Sequence, residues 1–167
     1  IASLQAAREA DRASAAERLQ MATEGAEAGT WYWDLATGRQ EWSDRCKAHL
    51  ALPEGGQPSF EHFYRVVHPD DRARVEHAVR EAVDARRDYS EDYRVVLPDG
   101  ATRWVRAFGR VFLHPDGSLR AMGGVTLDVT AAKAAEGELA ERSRQVSLLN
   151  VQLEKRAEDA EVATRAK

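Results

Sequence analysis

Cysteine is almost missing from these 167 residues: Cys46 stands alone. A single thiol excludes an internal disulfide framework and fits a reducing compartment. No apolar run approaches the roughly 18 residues that a bilayer-spanning helix needs, and no signal peptide opens the chain. The segment therefore reads as soluble and cytoplasmic, with no direct membrane insertion. A membrane-anchored parent remains compatible, because both ends look like helices interrupted mid-course. There is no basic excess either. The formal net charge is −4, which argues against a dedicated nucleic-acid binder. Catalytic patterns are equally scarce. Gly55-Gly56 and Gly123-Gly124 lack the surroundings of a phosphate-cradling loop, and there is no serine nucleophile elbow. The five histidines (His49, His62, His68, His77 and His114) are not spaced as a metal site. No catalytic residue and no metal are expected, and the segment is read as non-enzymatic.

What is present divides the chain in three. Hydrophobic residues at 43 % can fill a core, while charge at 31 % exceeds the usual quarter and points to extended exposed surface. Residues 1–28 are rich in Ala, Arg and Glu, with no proline and no glycine before Gly25. They read as a helix with a thin apolar stripe (Leu4, Leu19, Ala22), either solvated or paired with a partner. Residues 29–130 carry the globular signals. "TWYWDL" and "RQEWS" read as a hairpin around "ATGR". "SDRCKAHLAL", "SFEHFYRVV" and the stretch from Pro69 to about Arg87 read as three helices. Ser43 is a candidate cap, and Asp70 and Asp71 are placed for the positive end of the third helix. Three strands follow, closed by proline-plus-glycine turns at 98–100 and 115–117. The order β-β-α-α-α-β-β-β implies an α+β fold: an antiparallel sheet with the helices on one face. The strand from Ala101 is apolar on both faces, with Trp104, Phe108 and Phe112 opposite Val105, Ala107 and Val111. Its outer face is therefore expected to be covered by the flanking helices.

Residues 131–167 read as a long helix of about 55 Å. Leu139, Val146, Leu153 and Ala160 recur every seven residues, and Asn150 falls at the complementary heptad position. A lone Asn there fixes register and two-strandedness, so a parallel homodimeric coiled coil is expected, with a single solvated helix as the alternative. Cys46 reads as a buried small hydrophobe. Trp31 and Trp33 read as core, with ligand stacking as the alternative. His77 is the most tempting axial ligand for a haem, although a surface histidine is the plainer reading.

Taken together, "GTWYWDL", "TGRQEWS", "FYRVVHPDDR" and "DYRVVLPDGATRWVRAFGRVFLHPDGSLRAMGGVTLDVT" resemble a PAS domain of the fold-3 type over residues 29–130. The resemblance implies a five-stranded antiparallel sheet enclosing a small pocket. It implies a signal-relay junction at Asp128, Val129 and Thr130, where the last strand meets the exit helix. It also implies that Met122, Gly124 and Thr126 face the pocket while Val125 and Leu127 face outward. Photoreceptor relatives carry a reactive Cys on the central helix and a Gln at the position of Thr126. Neither is present, so a photoadduct-forming flavin is not expected. No cofactor is predicted, with haem or another small ligand as the alternative. The tail "LNVQLEKRAEDAEVATRAK" resembles the linker that precedes the phospho-accepting segment of hybrid sensor histidine kinases. The implied function is a sensory module of a bacterial two-component system, with a kinase downstream in the same chain. A diguanylate cyclase output, or a ligand-free dimerisation spacer, is the alternative.

Overall fold

The computed structural model describes residues 2–165. Residues up to Val129 form one compact unit, and the helix that begins at Thr130 forms a second. The first unit opens with α1 (Ala2–Gly25), whose described side chains are exposed along nearly its whole length. β1 (Gly29–Asp34) and β2 (Gln40–Trp42) make the expected hairpin. Three helices follow: α2 (Asp44–His49), α3 (Phe60–Val66) and α4 (Pro69–Ala85).

Each helix starts where its sequence supplies a cap. The Ser43 hydroxyl accepts from the Cys46 N–H, and the Ser59 side chain accepts from the His62 N–H. α4 places Pro69 in its first turn, where the missing N–H costs nothing, with Asp70 and Asp71 beside the positive end of the helix.

β3 (Tyr89–Val96), β4 (Thr102–Leu113) and β5 (Leu119–Asp128) complete a five-stranded sheet in the order β2-β1-β5-β4-β3. All its pairings are antiparallel. The last strand is therefore the central one. The helices lie on one face, and the core forms between them and the inward-pointing residues. Cys46, Val67, Val75, Tyr93, Val95 and Val105 are almost wholly buried there. The far edge of the sheet is occupied by the turn between α3 and α4. The His68 N–H donates to the Arg94 carbonyl, Asp71 accepts from the Arg94 N–H, and Arg74 donates to the Asp92 carbonyl.

The outer face differs from the expectation of full cover. Phe108 and Phe112 remain 41 % and 44 % exposed. α2, α3 and α4 pack on the other side, and α1, one of the flanking helices, keeps its described side chains exposed along nearly its whole length. On the outer side Trp104 has the Arg94 guanidinium 5.7 Å above its ring, and Arg106 is locked to Asp92 at 2.6 and 2.7 Å. The second unit is α5 (Thr130–Arg165). Leu139, Val146, Asn150 and Leu153 are all exposed on it. Among the described residues no helix is long and apolar enough to cross a membrane.

Candidate functional site

Between the sheet and the helices lies a cavity of about 60 Å³. β1 and β2 supply its indoles, because antiparallel pairing sets Trp31 directly opposite Trp42 and Trp33 opposite Gln40. Phe60 and Phe63 enter from α3, Tyr89 and Tyr93 from β3, and Met122 and Thr126 from β5. The rings meet edge to face, the arrangement their quadrupoles favour. Trp33 and Phe60 lie 4.7 Å apart at 83°, and Phe63 and Tyr93 lie 5.6 Å apart at 86°.

Met122 and Thr126 thus line the cavity. Gly124 lies between them in sequence but forms no part of the wall, since the backbone of β4 occupies the space a side chain would need. Trp31 and Trp33 are at once core and lining, half-buried and packed against the central cluster.

The polar group with the most consequence is Thr126, 2 % exposed. Its Oγ1 lies 2.9 Å from Nδ1 of His49, which is itself buried at the end of α2. Burial holds the His49 ring below the ordinary imidazole range, with the charge of Asp128 pulling the other way. The last turn of α2 leaves carbonyls without partners inside the helix, and Arg103 on β4 serves them. Its Nη1 donates to the carbonyl of Ala48 at 2.6 Å and to that of His49 at 3.3 Å. The same guanidinium, through Nε, lies 3.2 Å from Oδ2 of Asp128. Thr126 on β5 thus holds the His49 ring, and Arg103 joins the backbone of the same residue to Asp128 at the end of β5, so the two sets of contacts meet at His49. One residue further on, the Val129 N–H donates to the Trp104 carbonyl at 2.9 Å, and Thr130 opens α5.

Sequence reasoning missed His49 and Arg103 as members of this set of contacts. A signal for Arg103 was available. It shares the inward register of Val105 and Ala107, and a charge on a core-facing position requires a partner.

Cys46 is fully buried, and burial pushes its thiol up to about 12. A thiol of this kind is poorly ionised and shielded. Reaction with an aromatic disulfide reagent is expected to be at least about 100-fold slower in the native chain than in denaturant, because only opened molecules react. Comparable rates in the two conditions would contradict the buried position.

His77 sits on the exposed side of α4, 3.9 Å from Glu81, and does not line this cavity. Sites for drug-sized ligands and cofactors run from about 300 Å³ upward. The cavity as packed accommodates neither a haem nor an isoalloxazine. Among the described residues, no three His, Cys, Asp or Glu side chains converge as a metal site.

The comparisons with known proteins agree with the fold. The family model for the PAS fold matches residues 39–126. The chain is 30 % identical to Sensor protein FixL of Bradyrhizobium diazoefficiens over 135 residues, covering 81 % of this chain and 26 % of that one. It is 27 % identical over 117 residues to "Probable diguanylate cyclase DgcE" of Escherichia coli, covering 70 % of this chain and 10 % of that protein. It thus spans about a quarter and a tenth of these two relatives. Among solved structures, a sensory box histidine kinase/response regulator from Burkholderia thailandensis superposes with a TM-score of 0.64 at 32 % identity, over 77 % of this chain and 97 % of that one.

Proposed function

Because this chain belongs to the PAS fold family, we propose that it is the input module of a sensor histidine kinase, working as a parallel homodimer. A change at the cavity alters the hold of Thr126 on His49. Arg103 carries that change from the end of α2 to Asp128. The segment 128–130 then passes it to α5, whose heptad seam moves between two packings. The observation that supports this reading is that contacts from Thr126 and from Arg103 to Asp128 meet on His49, one at its ring and the other at its backbone carbonyl. Together they link the cavity wall to the point where the helix begins. The exposed Leu139, Val146 and Leu153, with Asn150 among them, supply a seam that a second copy would bury. A small change at one end is amplified only if such a seam is bistable.

The kinase output is favoured by the relative from Burkholderia thailandensis, a sensory box histidine kinase/response regulator. A cyclase output is the second reading, favoured by the relative from Escherichia coli. The module itself would work in the same way in either case.

A spin label at Gln145, outside the proposed seam, tests the relay. Asp128→Ala is expected to shift the distance distribution between the two labels of the dimer. In the full-length parent it should change the basal output rate about 5- to 10-fold, the scale of an ordinary coupling between sites. Identical distributions and rates would remove the relay, and the absence of any dipolar signal would remove the dimer.

A further inference from the structure

Two buried hydrogen-bond donors on the cavity wall have no partner among the described residues: the indole Nε1 of Trp31 and the hydroxyl of Tyr89. Tyr89 is only 5 % exposed. Its ring meets that of Trp31 edge to face, with centroids 6.4 Å apart. The indole is held in place from below, because a Cβ at Gly109 would lie 2.6 Å from its Cη2 and Cζ2. An indole N–H can only donate. Leaving such a group buried and unmet is costly, and native proteins rarely do so without reason.

From this we infer that the cavity binds a compact, uncharged organic molecule carrying one hydrogen-bond acceptor, such as a small carbonyl compound, held by Trp31 and Tyr89. The size follows from the volume. A cavity of about 150 Å³ takes benzene and a water needs about 10–15 Å³, so 60 Å³ takes between about two and five heavy atoms. Neutrality follows from the walls. They carry no carboxylate, ammonium or guanidinium, so an ion would be buried without a counter-charge. One water can also meet both donors, but it fills only part of the 60 Å³ and leaves most of the aromatic wall without contact. Besides these two unmet donors, the lining residues that carry polar atoms are Gln40, Tyr93, Trp33, Trp42 and a Thr126 already bonded to His49.

This inference rests on the cavity being the input site, and its test is read at a different place from the relay. Acetone and isobutene have nearly the same shape, and only acetone carries an acceptor. Titration of the chain with each is followed at the Trp31 indole N–H resonance, assigned by its loss in Trp31→Phe. Acetone is expected to bind about 10-fold more tightly than isobutene. Tyr89→Phe should weaken acetone about 5-fold or more, leave isobutene unchanged, and keep the fold because only a hydroxyl is lost. Equal affinities for the two probes, or an indole resonance that moves no sooner than those of the exposed α1, would overturn the inference. So would indole-to-water cross-peaks that persist undiminished at saturation. Asp128→Ala should bind acetone as the wild type does, so a failed relay and a failed site give different results.

Discussion

Gly124→Ala should be the most damaging single-methyl change in the domain, costing about 3 kcal/mol or more, at the upper end of what overpacking usually does. Gly124 is in the middle of the central strand, paired with Trp31 on one side and Gly109 on the other. A Cβ there would overlap the Phe108 carbonyl oxygen and lie 2.7 Å from the Gly109 Cα. Both are backbone atoms, so no rotamer can relieve the clash and the ladder between β4 and β5 must part. Against a total stability of 5–15 kcal/mol for a typical domain, such a loss moves the urea midpoint far enough to expose function to it. Thr126 lies two residues away, so its bond to His49 should fail with the ladder. Gly137→Ala in α5 is the control. Nothing lies within 4 Å of its added carbon, and alanine favours a helix over glycine by about 1 kcal/mol. Equal midpoints for Gly124→Ala and wild type would show that the two strands do not approach as closely as described.

A second large effect is expected at Asp71, and it depends on pH. The Asp71 carboxylate accepts the Arg94 N–H at 2.9 Å and the Arg94 guanidinium at 2.9 and 2.8 Å. The Arg94 side chain, above all, holds the acid down at about 2. Unfolded, the same acid titrates near 3.9. In the interval between, the unfolded chain binds the proton and the folded chain does not, so stability rises with pH. The contribution is fully present above about pH 4–5 and is lost as pH falls through about 2. Asp71→Asn should cost about 2 kcal/mol at neutral pH, a charge-assisted bond discounted for the partly exposed Arg94. The gap between variant and wild type in urea unfolding should narrow as pH falls from 5 towards 2. A gap that stays constant across this range would mean that packing, rather than the ion pair, holds Asp71.

Much of this architecture is legible in the chain because its cues are local. Ser43 and Ser59 precede apolar runs and cap them, and the proline–glycine turns at 98–100 and 115–117 close the hairpins. Alternation along β4 sorts its faces as the structure has them. Local cues are silent on what lies across the fold. Nothing in the pattern around Gly124 says that β4 fills the space beside it. The apolar outer face of β4 suggested complete cover, yet Phe108 and Phe112 stand partly open. His49 is an ordinary helix residue until Thr126, 77 positions away, is brought to its ring. The unmet donors of Trp31 and Tyr89 belong to the same class, because periodicity reports which way a side chain points and not whether its polar atom finds a partner.

The turn that closes over β3 has a consequence for how the domain meets other chains. Arg94 and Asp92 spend their edge-facing backbone groups on His68, Asp71 and Arg74, and the opposite margin, β2, is only three residues long. An extended peptide arriving at either margin therefore finds little ladder to continue. Recruitment by strand addition, and the fibrillar stacking that grows from the same geometry, are both discouraged. A module built this way can be repeated along a chain, or crowded at high local concentration, without its sheets zipping together.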